Sequence, residues 1–127
     1  MGRGRPRRAP AVIRRGDIHW VDLDPAHGSE ASKRRPAVIV SNDAANVTTT
    51  RLGRGTITVV PVTSNVERVY PFQVGLSAAA TGLDRDSKAQ AEQVRSIDVE
   101  RLGAKIGAVP AALLVRLDSA LRLHLGL

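Results

Sequence analysis

The chain has 127 residues, no cysteine and a formal net charge of +7 at pH 7. That length suits one domain able to bury a core without staples, and the absence of cysteine excludes a disulfide framework and thiolate chemistry. No apolar run approaches the ~18 residues of a membrane-spanning helix, and the basic N-terminus lacks the apolar segment of a secretory signal, so a cytoplasmic protein with no membrane partner is expected.

The positive charge is local. Arg3, Arg5, Arg7, Arg8, Arg14 and Arg15 fall within the first 15 residues, with no acid among them. Beyond that stretch 13 of the 19 basic residues face all 12 acidic ones, a net of only +1. Any argument from charge to nucleic acid is thereby confined to the N-terminal arm. The three aromatics, Trp20, Tyr70 and Phe72, are too few for a general single-strand binder that stacks successive bases.

Residues 1–12 are mostly Gly, Pro, Ala and Arg, with little to bury, and are predicted to be a disordered arm ahead of a single domain spanning 13–127. The arm reads either as a nonspecific phosphate contact or as an incidental tail. Val12 also sits where a chain beginning Ile-Arg-Arg-Gly-Asp-Ile would start, which an alternative start codon would explain. Asp17–Leu23 is predicted as the first strand, with Ile18 and Trp20 on one face and Val21 and Leu23 on the other. Asp24-Pro25 ends it.

The stretch that follows, Gly28-Ser29-Glu30-Ala31-Ser32-Lys33-Arg34-Arg35-Pro36, places a carboxylate and three consecutive cations ahead of a buried second strand at 36–41. A polar loop feeding a buried strand can hold reactive groups at the rim of a scaffold. A carboxylate there can move a proton while a guanidinium grips anionic oxygens at two points. The loop has no cluster of metal ligands, so no metal or other cofactor is implied. His27 adjoins it and reads as a loop-surface histidine.

Residues 42–55 are polar, with a Thr48-Thr49-Thr50 run and two glycines, and are predicted as a long connection with one helical turn. Thr56–Thr63 is β-branched almost throughout and is the strongest strand signal; Pro61, unable to donate to a ladder, is expected at an edge or bulge. Val69–Leu76 alternates, with Tyr70, Phe72, Val74 and Leu76 opposite Pro71, Gln73 and Gly75, and predicts a half-buried edge strand. Residues 87–97 favour helix by propensity. Asp98 is placed to cap a short turn closed by Gly103. Pro110–Leu125 is the one convincing helix, with Pro in its first turn and an apolar stripe of Leu113, Leu114, Leu117, Leu121 and Leu125.

Taken in order, Arg15-Gly16-Asp17-Ile18, Trp20-Val21-Asp22-Leu23-Asp24-Pro25, Gly28-Ser29-Glu30, Arg35-Pro36-Ala37-Val38, Ser41-Asn42-Asp43, Val62-Thr63-Ser64, Tyr70-Pro71-Phe72 and Glu92-Gln93-Val94-Arg95-Ser96-Ile97 resemble the MazF/PemK toxins. The resemblance runs from about residue 13 to the C-terminus. It implies a β-rich α+β fold, a small strongly curved antiparallel SH3-like barrel with a C-terminal helix, and it makes 87–97 a strand against its propensity. It further implies a homodimeric, metal-independent, sequence-specific endoribonuclease that cuts single-stranded RNA to 2′,3′-cyclic phosphate and 5′-hydroxyl ends. The partner implied is a cognate antitoxin with an acidic tail that occupies the RNA groove.

Carried over by motif position, Arg35 and Thr63 match the family's essential arginine and threonine, and Glu30 matches a carboxylate that is catalytic in some members. Ser29, Asn42, Ser64 and Gln93 fall where groove-lining residues are expected. Lys33 and Arg34 add charge beside them, which departs from the less basic pattern of many members and raises the question of which arginine is the clamp. An ordinary carboxylate, titrating near pH ~4, is a poor base at neutral pH unless burial raises it, so Glu30 reads either as base or as partner of Arg35. A gyrase-binding toxin of the CcdB type, with the same architecture, and a catalytically silent nucleic-acid-binding module are the competing readings.

Overall fold

In the computed structural model, residues 12–24 and 33–127 are described. The sheet is built around β3, Thr56–Thr63, whose span is the one predicted. Its run of β-branched residues suits a strand buried on both faces. Val60 and Val62 join one core with Ile18, Val38, Leu76 and Leu117, while Ile57 and Val59 join a second with Val21, Ala37, Ile39 and Leu102. On one side β3 pairs antiparallel with β2, Lys33–Ile39. β2 in turn pairs with β1, Asp17–Asp24. The second strand thus begins three residues before its predicted start and ends two before its predicted end.

On its other side β3 meets two short strands, β6 (Arg95–Asp98) along its first half and β5 (Ser87–Gln90) at its end. A 3₁₀ turn over Ala91–Gln93 separates them. Residues 87–97 are therefore extended, as the resemblance implies, but broken in the middle; pairing with β3 overrides the helical propensity of Ala, Gln and Glu.

Pro61 lies neither at a sheet edge nor in a bulge; it sits within this central strand, opposite Ala37. Thr58 shows why it is tolerated. Its N–H donates to Ser41 Oγ and its carbonyl accepts from Val40 and Ser41, so even-numbered residues of β3 address the β2 side. Pro61, being odd, addresses the other side, where the ladder is broken between Val59↔Arg95 and Val62↔Ala89. The missing donor falls at the gap.

The remaining strands extend the sheet to the order β4-β5-β3-β2-β1-β7, with β4 at Gln73–Leu76 and β7 at Leu102–Ala108. Among the described residues β4 and β7 do not pair with each other, so the expected barrel is an open seven-stranded antiparallel sheet. β4 is an edge strand as predicted but covers only half of 69–76. Gln73, expected on the face away from Val74, is buried because both ends of its amide are used: Nε2 donates to Glu92 Oε2 (2.7 Å) and Oε1 accepts from the Tyr70 N–H (3.1 Å).

Among the described residues three α-helices complete the fold. α1, Asp43–Leu52, is ten residues long rather than the expected single turn; Asn42 caps it and Gly53 ends it in the left-handed conformation. α2, Ala78–Thr81, is one turn seated against β7: a Cβ on Gly107 would stand 1.8 Å from the Thr81 carbonyl oxygen. α3, Ala111–Leu125, follows Pro110 and buries Leu117 and Ala120, but Leu125, counted in the predicted stripe, is exposed and does not pack on the core as Leu113, Leu114 and Leu121 do. Asp98 caps a short turn as predicted, though Leu102 closes it and opens β7, a strand with no sequence-based expectation.

The entry to β1 is tied down by Arg15. Its backbone N–H donates to Asp43 Oδ1 (2.7 Å), its Nε to the Val40 carbonyl (2.9 Å) and its Nη2 to Asp118 Oδ1 (2.6 Å). Ile13 just ahead is buried in the second core. The predicted disordered arm, apart from exposed Val12, lies outside the described residues. Among the described residues no helix is long and apolar enough to cross a membrane.

Candidate active site

Strand register brings the two principal candidates together. β2 and β3 pair as Ile39↔Val59, Val38↔Val60 and Ala37↔Pro61, and the ladder stops there. Continued two residues further, the same register sets Arg35 opposite Thr63. A cleft of about 220 Å³ lies at this open end of the pair. Trp20 and Arg35 line it from β1 and β2, Thr63 and Ser64 from the end of β3, Asp84 and Arg85 from the segment between α2 and β5, and Ser87 from the start of β5.

The local structure orients both groups. Thr63 Oγ1 accepts the Asn65 N–H at 3.2 Å, which leaves its hydroxyl proton free to be donated. Arg35 is exposed, and its fork of N–H groups suits the nonbridging oxygens of a phosphate. Ser64, expected in the groove, is also in the lining. A loop corner faces them: Ser87 Oγ donates to the Arg85 carbonyl (2.9 Å), and Asp86 Oδ1 accepts the Ala78 N–H (2.8 Å). Asp84 and Arg85 are only 3.9 Å apart across a weak, exposed pair.

Other sequence-predicted residues are placed elsewhere. Arg34 lies with its guanidinium carbon 5.8 Å from the centroid of Trp20, and consecutive strand residues point to opposite faces. Asn42 spends its side chain on the Ala45 N–H as cap of α1 (2.8 Å), and Gln93 is exposed in the 3₁₀ turn; neither lines this cleft. Lys33 opens β2, opposite Asp24 across a bulge. Glu30, Ser29 and His27 lie outside the described residues. Asp84, Arg85 and Ser87 carry no signal in the sequence because it is tertiary: it takes the chain after α2 folding back past the end of β3 to bring them in, whereas Trp20, part of the family motif but given no role by it, arrives through its pairing with Pro36 across β1 and β2.

His19, adjacent to Trp20, is fully buried. Its Nδ1 donates to the Gly103 carbonyl at 2.9 Å. Burial lowers its pKa from the ordinary 6.5, with Lys105 adding to the effect and the Gly103 bond and Asp17 opposing it. It is a neutral core group rather than a member of the cleft.

A profile of the family described as PemK-like, MazF-like toxin of type II toxin–antitoxin system matches residues 14–125. Endoribonuclease MazF9 of Mycobacterium tuberculosis is 68% identical over 116 residues, covering 91% of this chain and 98% of its own. The MazE–MazF crystal structure (Form-II) from Deinococcus radiodurans superposes with a TM-score of 0.74 at 31% identity, covering 91% of this chain and 97% of that one. An endoribonuclease in complex with its cognate antitoxin, from a mycobacterial species, gives a TM-score of 0.72 at 26% identity, covering 91% and 97%. A match running almost end to end, at this identity and in this fold, places the chain in the PemK-like, MazF-like toxin family of type II toxin–antitoxin systems.

Proposed function

We propose that this chain is the endoribonuclease of a toxin–antitoxin pair and that it cuts single-stranded RNA, messenger RNA included, at a specific sequence without a metal. The observation that carries the reading is that Arg35 and Thr63 line one cleft just past the last β2–β3 pair. In the reaction the substrate's 2′-oxygen attacks the adjacent phosphorus, the bond to the 5′-oxygen breaks, and a 2′,3′-cyclic phosphate and a 5′-hydroxyl result. One proton leaves the 2′-hydroxyl and one arrives on the 5′-oxygen. Arg35 serves as the clamp on the developing phosphorane charge, and Thr63 donates one hydrogen bond to a nonbridging oxygen. Glu30, by its motif position, is the candidate base; Glu30→Gln loses the rate if it is, and keeps most of it if the carboxylate only pairs with Arg35.

The same reading gives the protein a cytoplasmic location, a homodimeric assembly and an antitoxin whose acidic tail competes for the RNA groove; the basic arm ahead of a single 13–127 domain adds nonspecific phosphate contact. The similar structures of an endoribonuclease with its cognate antitoxin and of MazE–MazF support the antitoxin. The test is incubation of the purified chain with a defined long RNA in EDTA, followed by mapping of the ends. Cyclic phosphates are expected; a requirement for added magnesium, or 5′-phosphate products, overturns the mechanism.

A further inference from the structure

The chain's single tryptophan is in neither core. Trp20 is 37% exposed and lines the cleft with Arg35 and Thr63. A large aromatic left in contact with water beside charged groups is informative in a way that an isolated surface leucine is not. Its surroundings form a support. Pro36 stands directly opposite across the β1–β2 pair. The Arg34 guanidinium carbon lies 5.8 Å from the ring centroid, within range of a cation–π contact. On the β7 side stands Gly103, where a Cβ would come 3.0 Å from Arg34 Nη2, 3.1 Å from the Trp20 carbonyl oxygen and 3.3 Å from Trp20 Cβ. Any larger residue there would press on the Arg34 guanidinium and on the backbone and Cβ that carry the indole.

We propose that Trp20, backed by Arg34, is the stacking platform for a nucleobase next to the phosphate held by Arg35. The proposal rests on the RNA-cleavage reading and deepens it by naming a base contact distinct from the phosphate clamp. The cleft lies past the last β2–β3 pair, so groups from both faces of the sheet reach it. Neighbouring arginines then divide the work, with Arg35 taking phosphate and Arg34 bracing the indole. Because every base has a π face, such a platform contributes affinity more than sequence choice; three aromatics do not make a general single-strand binder, but one at the cleft is enough for one base.

The lone tryptophan makes the test direct, since fluorescence excited selectively in tryptophan, beyond the absorption of Tyr70, reads this position only. The probe is a single-stranded RNA oligonucleotide carrying the mapped cut site, made uncleavable by a 2′-deoxy substitution at the reacting nucleotide. Titration should quench or shift the fluorescence in step with binding followed independently by anisotropy. Trp20→Ala should weaken binding about 5- to 150-fold, the loss of one base–aromatic stack, and raise KM similarly, with little change in the single-turnover rate at saturating enzyme. Trp20→Phe should restore most of the affinity. Binding that leaves the wild-type fluorescence unchanged overturns the platform, and this readout holds even if Trp20→Ala fails to fold. A folded Trp20→Ala with unaltered KM overturns it as well. A wild-type protein that neither binds nor cuts RNA overturns the proposed function instead, and the platform with it.

Discussion

Arg35→Ala should separate catalysis from folding. Arg35 is exposed and stands two residues beyond the last β2–β3 pair, so its truncation opens no cavity, and stability should change by no more than about 0.5 kcal/mol. A two-point clamp on a phosphorane is different. Losing one such electrostatic contact costs roughly 3–4 kcal/mol of transition-state stabilisation, which at about 1.36 kcal/mol per decade is two to three decades in rate. The assay is single-turnover cleavage of a defined RNA at saturating enzyme, run beside thermal unfolding of the same preparations. Arg35→Lys should remain poor, because an ammonium cannot reproduce the planar fork. Arg34, which lies over Trp20, should when changed to Ala weaken binding and leave the chemical step nearly intact. If Arg34→Ala abolishes the chemical step while Arg35→Ala is tolerated, the assignment of the clamp by register is wrong.

Thr63→Ala should slow single-turnover cleavage and, by freeing the Asn65 N–H, cost about 1 kcal/mol of stability in denaturant titration; Thr63→Ser should retain much of the rate, and a serine variant as slow as alanine would show that the hydroxyl is not the acting group. The buried His19 has its pKa lowered below 6.5, so as pH falls below that value the unfolded chain takes up a proton that the folded one refuses. Its contribution to stability is fully present above 6.5 and declines below it, with a slope of at most about 1.36 kcal/mol per pH unit; His19→Asn should flatten that part of a stability–pH profile. Gly107→Ala would drive a Cβ into the Thr81 backbone at 1.8 Å. With only backbone there to yield, about 3 kcal/mol of destabilisation and a midpoint roughly 10 °C lower are expected in a thermal melt. An unchanged melt would mean that α2 is not seated on β7 as described.

Local chemistry made some of the fold legible and concealed the rest. β3 could be read residue for residue, because β-branched side chains and burial on both faces point the same way. β7 could not, and the cause is physical: Gly103 and Gly107 erase its strand propensity, yet they are what allow Arg34, Trp20 and the Thr81–Gly82 backbone to approach it. α1 was masked by three consecutive threonines, although Asn42 and Gly53 carried its caps in plain sight; tertiary burial of Asn46 and Thr49 outweighs their weak propensity. Pro61 misled because an edge is the usual place for a missing donor, and no local pattern could show that β5 and β6 would part opposite it. At the site, the Arg-Pro and Val-Thr-Ser elements pointed to Arg35 and Thr63, whereas Arg85 belongs to an unremarkable charged turn until the chain folds back.

The Arg15 tie and the buried Ile13 also matter for anyone who has to handle this protein. They give the two ends of the chain unequal tolerance to cutting and fusion. A truncation that passes Val12 removes a core side chain and, two residues later, the group that fastens the start of β1 to α1, Val40 and α3 in one stroke. At the other end Gly126 closes α3 and Leu127 is 85% exposed, so a label or affinity tag attached there costs no contact of the folded body.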